Sequence, residues 1–487
     1  MSRRTRGIHV ALAVAIAVAF ATGAGGMAAL PHAVPLAQAP QATAHAPAAA
    51  SDVFSFVRAL DEAVSRGVWP GFDASAIPVA LFDGERTVLL RHPAPPPEFS
   101  PMPGRPGALI AKGRHPAVTG NSTREIGGVR TATVIATPTQ SVERTMLAVV
   151  EEVFHVFWLA RHPAFRPNEL ARYVYPLDDV ENLGRLVAED EALARALESR
   201  SSLETARWAA AALVARRPRV AALADDVRTY ETSLEMMEGI ANYVARMSVG
   251  EPPLRTAERL RAPRPAEEIR WRFYDTGAAL CLLLDRLTPG WQERTERQPA
   301  LTTAELLAES LRASGTQPAV FEAAGPSAFV ARASADIADL RSRRERIRAG
   351  LLDRAGGRIV IELEAGAEPF RVRRFDPINL MVLAGGEVAH PNYLTLESPE
   401  GTVELNNSAF VRGTFGGTVG LSVAAGSHPL SGGVRQLTIA GIVGAPEVGR
   451  DADSVTVEAS GVRLALRRAE VRVGGDLVRI TVKGPKR

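Results

Sequence analysis

Three textures of apolar and polar positions follow one another along this chain. Over residues 51–65, Val53, Val57, Leu60 and Val64 recur at spacings of one helical turn, with Phe54 and Phe56 beside them. This predicts an amphipathic helix that Gly67 ends. Apolar, β-branched runs at 77–82, 87–90, 108–111 and 129–136 then predict a small sheet, with a proline-rich loop between His92 and Pro106. After Ser141, an N-cap with Glu143 in the first turn, helical patterning continues to about residue 352, punctuated at Pro163, Pro218, Pro252, Pro289 and Gly315. From Gly357 onward, short alternating runs at 358–362, 389–396, 417–423, 455–458 and 477–482 are separated by Gly, Asn, Asp and Pro. They predict an antiparallel, sandwich-like β domain. The expected class is α+β, a mixed sheet with helices followed by that β-sandwich-like domain. No period of 20 to 50 residues recurs, which excludes a solenoid.

The first fifty residues carry an address rather than a core. Arg3, Arg4 and Arg6 precede an apolar stretch over 8–21, and small residues come after it, including Ala37-Gln38-Ala39 and Ala42-Thr43-Ala44. This is the pattern of a secretory signal peptide, so the mature chain is expected outside the cytoplasm, periplasmic or extracellular. An uncleaved segment reaching Leu30 would instead attach the protein to a membrane. Residues 31–50, mostly Ala and Pro, read as a disordered leader.

Composition changes this picture only by exclusion. Of 487 residues, 57 are Lys or Arg and 54 Asp or Glu, a net charge of +3, with 46% hydrophobic positions. The basic residues are spread along the chain with no stripe, so nucleic acid is not an expected partner. The single cysteine, Cys281, rules out a disulfide framework and a cysteine-built zinc site, and its apolar surroundings predict a buried, inert thiol.

Candidate chemistry sits in the segment MLAVVEEVFHVFWLA, 146–160, which is apolar except for Glu151, Glu152 and His155. At about 100° per residue these three share one arc of the helix. Burying ionised carboxylates without a partner costs several kcal/mol, so either the arc is solvated or something is there to hold it. A second helix, predicted over 229–249, carries Glu231, Glu235, Glu238 and Asn242 at spacings of 4, 3 and 4. Gly239 in its interior costs about 0.5–1 kcal/mol relative to Ala and makes sense where another backbone approaches closely. Two acid-bearing helices that meet point to a shared cation, whereas each alone would be read as a solvated face.

The run Glu151-Glu152-Val153-Phe154-His155, with Glu238-Gly239-Ile240-Ala241-Asn242-Tyr243 far downstream, resembles the gluzincin type of zinc metallopeptidase. That family combines H-E-x-x-H on one helix with a glutamate ligand on a later one, often within E-G-x-A-x-Y. The resemblance spans about 126–290. It implies a zincin-like domain, which with the chain's patterning gives boundaries of 51–300 for that domain, 301–355 for a helical connector and 356–487 for the β domain. It also implies zinc, with Glu152 as general base, Glu151, His155 and Glu238 as metal ligands, and a peptide or protein as substrate. The strand at 129–136 would be the edge strand that aligns that substrate. The chain departs from the pattern at Glu151, where the family has histidine. Glutamate keeps the i, i+4 geometry but adds a negative charge, which weakens the Lewis acidity of the ion and favours harder divalent cations. A catalytically degraded pseudoenzyme, acting as an extracytoplasmic binding protein, is therefore the alternative.

Other residues compete with this site for a role. His162 reads as a helix C-terminal residue, while His92 and His115 lie in loops from which they could approach the site. Tyr274, opening the apolar helix 272–287, is placed either as an oxyanion stabiliser or as a packing residue. A ferritin-like di-iron site using Glu152-x-x-His155 with Glu189, Asp190, Glu191 and Glu235 lacks a second histidine unit. Neither a phosphate-binding loop nor a G-x-S-x-G elbow is present.

Overall fold

The computed structural model describes residues 67–136, 141–322, 325–353, 355–375, 381–383, 388–390, 393–405, 418–421 and 433–485. The expected signal peptide, the leader and the helix over 51–65 lie outside the described residues. Among these residues no helix is long and apolar enough to cross a membrane.

The first sheet comprises β1 (Val79–Phe82), β2 (Arg86–Leu90), β3 (Ser100–Pro101), β4 (Ala108–Lys112), β5 (Ser122–Ile126) and β6 (Val129–Ile135), in the order β3-β4-β2-β1-β6-β5. β1 and β6 run parallel while the other pairings are antiparallel, so the sheet is mixed. Alternation sorts its two faces. Val79, Leu81, Val88, Leu90, Ala132 and Val134 enter the main core, whereas Ala80, Leu89, Ala111 and Ile126 form a smaller core on the other side. The strand expected at the edge, β6, is interior. The edge belongs to β5, whose sequence STREI is too polar to announce itself as a strand.

Ten α-helices come next among the described residues, of which α1 (Val142–Arg161) lies on the sheet and begins where expected. Ser141 caps it by accepting from the Arg144 N–H at 3.3 Å, and Pro163 stands just beyond its end. Val149, Val150, Val153, Phe154 and Trp158 of α1 meet the sheet face in one core, where Trp69 sets its ring edge-to-face against Phe154, Trp158 and Trp291 at 5.4–5.6 Å between centroids and Phe154 stacks on Trp158 at 5.9 Å. After α1 come α2 (Val180–Glu198), α3 (Ser202–Ala222) and α4 (Asp225–Leu234), the last running through a π-helical turn (Glu235–Gly239) into α5 (Ile240–Ser248). The remaining helices are α6 (Pro253–Arg261), α7 (Ile269–Leu287), α8 (Trp291–Arg297), α9 (Thr303–Ala313) and α10 (Gly325–Leu352). The stretch 301–355, expected as a connector, is packed into cores shared with the preceding elements. Leu306, Leu307 and Leu311 of α9 join the main core, and Ala333, Ile337 and Leu340 of α10 pack with Leu183 and Leu186 of α2.

The C-terminal part has two sheets. One contains β7 (Gly357–Leu363), β9 (Met381–Val382), β10 (Val388–His390), β13 (Thr418–Leu421), β14 (Gln436–Ile442), β18 (Ala469–Gly474) and β19 (Leu477–Val482). The other contains β8 (Arg371–Phe375), β11 (Leu394–Ser398), β12 (Gly401–Leu405), β15 (Glu447–Asp451), β16 (Ser454–Ala459) and β17 (Val462–Arg467). Ile359, Ile439 and Ile480 of the first share one core with Leu396, Val403 and Leu464 of the second, so the sheets pack face to face. The α+β expectation holds. Two details differ: β19 pairs parallel with β7, and the single run expected at 389–396 is two strands, β10 and β11, that belong to different sheets.

Candidate metal centre

On α1 the core-facing stripe leaves Glu151, Glu152 and His155 on another side, with both glutamates half-buried and His155 6% exposed. The i, i+4 pair Glu151 and His155 projects from one face. Glu238, 5% exposed, comes from the π turn between α4 and α5. An i→i+5 turn inserts a residue into the helical ladder and re-aims the side chains after it, and such turns recur at functional sites. Glu231 and Glu235, before and at the start of the turn, face arginines, while Glu238 faces α1. The expected single stripe is thus divided between two environments.

Glu151, His155 and Glu238 each offer one ligand atom, and these three atoms lie within 4.8 Å of one another. His155 Nε2 and Glu238 Oε2 are 3.0 Å apart. Two donors bound at about 2.0–2.2 Å to one tetrahedral ion stand roughly 3.3–3.6 Å apart, so small side-chain adjustments seat a cation. The His155 Nδ1 and the amide oxygen of Asn242, one turn beyond Glu238, have no hydrogen-bond partner among the described residues. The group can hold a metal ion. Its two carboxylates and one imidazole form an oxygen-rich donor set.

In the metal-free protein, protons balance the charges. Burial pushes the Glu151 carboxyl up to about 8, helped by the Glu238 carboxylate. Burial likewise raises Glu152 to about 7. Burial works against a charged His155, yet the Glu238 carboxylate overrides it and holds the imidazole at about 9. Burial also opposes ionisation of Glu238, but His155 and Arg270 hold it at about 2. His155 and Glu238 therefore form an ion pair at neutral pH.

The first turns of α7 close one side of the site. Arg270 donates through Nη2 to Glu238 Oε1 at 2.9 Å, through Nη1 to the Tyr274 oxygen at 2.5 Å and through Nε to Glu169 Oε1 at 3.1 Å. The Tyr274 hydroxyl in turn hydrogen-bonds to Glu238. Tyr274 thus reaches the cluster rather than merely packing beside it. Arg124 of the edge strand β5 is the cation that acts on Glu152 from the sheet side. Sequence reasoning singles out neither arginine. For Arg270 the available signal is its i, i+4 spacing from Tyr274.

The remaining candidates are engaged elsewhere. His162 ends α1, stacks on Trp158 at 3.8 Å and meets Glu296 at 3.4 Å. His92 Nε2 lies 2.9 Å from the Ile126 carbonyl, and His115 pairs with Glu98 at 3.1 Å. The carboxylates that a di-iron site would need are held by arginines. Glu235 receives Arg216 bidentately at 2.5 and 2.7 Å, and Glu189 receives Arg216 at 2.6 Å and Arg219 at 3.0 Å. Asp190 meets Arg272 at 2.8 Å, and Glu191 meets Arg195 and Arg261 at 2.6 and 2.7 Å. Cys281 is buried, and burial raises its thiol well above the usual range. Compared with protein-family models, curated proteins and solved structures, the chain matches none.

Proposed function

We propose that this chain is an exported metallopeptidase-like protein of the gluzincin type, in which Glu151, His155 and Glu238 hold one divalent cation, zinc in the first instance. The observation that carries this reading is the convergence of three ligand atoms from α1 and the π turn to within 4.8 Å. The bound cation supplies Lewis acidity toward a peptide carbonyl and the attacking water. Glu152, raised to about 7, takes the proton of that water and passes it to the leaving amine. Tyr274 turns its hydroxyl hydrogen from Glu238 to the carbonyl oxygen as negative charge develops there. A peptide or protein substrate lies extended along the open edge of β5, beside α1. The basic, then apolar, then Ala-rich N-terminus supports export.

One observation favours the pseudoenzyme instead. The His155–Glu238 ion pair and the Arg270 contact satisfy Glu238 without any cation. A site that closes on itself in this way suits a binding protein that has lost its metal. The deciding experiment measures metal content of the purified mature protein beside Glu238→Ala, together with hydrolysis of a denatured protein by wild type and Glu152→Gln. Stoichiometric metal that Glu238→Ala loses, with hydrolysis that Glu152→Gln abolishes, supports the peptidase. Absence of both from wild type sinks it.

A further inference from the structure

Arg270 is fixed at three points. Each of its nitrogens has its own acceptor, so the guanidinium plane is set by Glu238, Tyr274 and Glu169 together. The two oxygens of Glu238 are consequently unequal. Oε1 accepts the charge-assisted bond from Arg270, while Oε2 faces His155 Nε2 at 3.0 Å.

We propose that Arg270 is a positioning residue that limits Glu238 to one metal-binding oxygen, Oε2, by occupying Oε1. This rests on the metal-binding reading above and adds to it. A carboxylate chelates one ion through both oxygens only when both are free to turn toward it. With Oε1 held, the protein supplies three donor atoms and leaves a position open, the pattern of catalytic rather than structural sites. The same guanidinium places a positive charge beside a donor set that has gained one negative charge at Glu151. Both effects act in one direction. Arg270 lowers affinity for divalent cations, and it does so most for those that prefer many oxygen ligands, such as Mn2+.

The test uses the full chain stripped of metal. Zn2+ and Mn2+ are titrated separately by calorimetry into wild type, Arg270→Met and Arg270→Gln, and X-ray absorption at the zinc edge gives the coordination number. Arg270→Met should tighten Mn2+ binding by about tenfold, the equivalent of one further charge-assisted contact, and zinc binding by less. The zinc coordination number should rise by one. Circular dichroism checks the fold. Should Arg270→Met not fold, Arg270→Gln decides the matter, with the zinc-to-manganese preference falling in the same direction by about threefold. Equal weakening of both metals, or an unchanged coordination number and preference, overturns the proposal while leaving the metal centre intact. Uptake of neither metal by wild type overturns both.

Discussion

Gly239 and Gly277 meet backbone to backbone where the π turn crosses α7: a Cβ built on Gly239 would lie 2.5 Å from the Gly277 Cα, and one on Gly277 would lie 2.7 Å from the Glu235 carbonyl oxygen. Neither neighbour is a movable side-chain tip. This contact sets the distance between the turn that carries Glu238 and the helix that carries Arg270 and Tyr274. Gly277→Ala must therefore separate α7 from the turn, at a cost of about 1–3 kcal/mol in chemical denaturation. It should also loosen any metal held by Glu238. Gly184 in α2 is the control, because its nearest non-local atom would be 3.8 Å from an added Cβ. Gly184→Ala should stabilise the protein by about 0.5–1 kcal/mol. Equal effects at both positions would show that the crossing is not a tight contact.

Metal binding should appear as stability. A ligand that binds only the native state raises stability by RT ln(1 + [L]/Kd), about 2.7 kcal/mol at a hundred times Kd. Thermal melts of wild type with and without Zn2+ should show that increase, and His155→Ala and Glu238→Ala should not. If the wild-type melt is unchanged, the cation reading loses its support.

The elements that can be read from the chain are those whose local chemistry is unambiguous. Ser141 before an apolar run and Pro163 after it delimit α1. The interior strands β1, β2 and β6 announce themselves because apolar residues serve both of their faces. β5 escapes notice because an edge strand with one buried residue, Ile126, looks like a loop. Gly239 correctly signals a close approach, but sequence cannot name the partner, which is Gly277 on α7 rather than the acid-bearing α1. The stripe Glu231, Glu235, Glu238, Asn242 assumes α-helical spacing, and the π turn that redistributes it has no composition of its own. The i, i+4 pair Glu151 and His155 is legible from spacing, but singling out Glu238 from Glu231 and Glu235 on the second helix rests on the family resemblance. The arginines beside the cluster are not legible, since a charged residue in sequence carries no record of the group it faces.

Protons should compete with the cation. In the metal-free protein His155 titrates at about 9 and Glu151 at about 8, so at pH 7 both carry protons that a cation must displace. Binding at pH 7 should release about two protons, and apparent affinity should climb with pH, by up to about tenfold per unit for each proton, until about pH 9. Calorimetry in buffers of different ionisation enthalpy measures the release directly. Affinity independent of pH between about 6 and 9 would place the ion elsewhere.

The buried network around Arg216 and Arg219 should govern acid stability. Burial raises the cost of ionising Glu189, but Arg216, Arg272 and Arg219 hold its carboxyl at about 2, below the ordinary 4.5. A depressed carboxyl stabilises the fold fully above its unfolded pKa, and the contribution disappears as pH falls from about 4.5 to about 2. Asp190 beside it works in the opposite sense, because burial raises it to about 6 despite Arg272. Glu189→Gln isolates the first contribution. It should cost about 3–5 kcal/mol at neutral pH, where arginines are left under-compensated, and the gap to wild type should narrow below about pH 4.5. Urea midpoints measured from about pH 7 to about pH 2.5 check this, and a constant gap would remove Glu189 from the acid transition.

Glu151 separates a working centre from a relic. Burial and the nearby Glu238 raise its folded pKa to about 8, against 4.5 in the unfolded chain. A raised carboxyl lowers stability progressively as pH rises from about 4.5 to about 8, because the unfolded chain ionises first and the folded chain resists. Glu151→Gln removes that penalty, so the metal-free variant should melt higher than wild type, by a margin that widens across the same interval and then stays constant. The outcome with metal has the opposite sign if Glu151 is a ligand. Glu151→Gln and Glu151→Ala should then lose the stabilisation that zinc gives wild type. Glu151→His should keep or increase it, because a neutral imidazole preserves the i, i+4 donor while removing one negative charge from the ion. Melts of wild type and the three variants at neutral pH, with and without zinc, resolve the two cases. Zinc stabilisation that survives in Glu151→Ala at the wild-type level would exclude Glu151 from the centre and leave its half-buried carboxyl as an unrelieved cost.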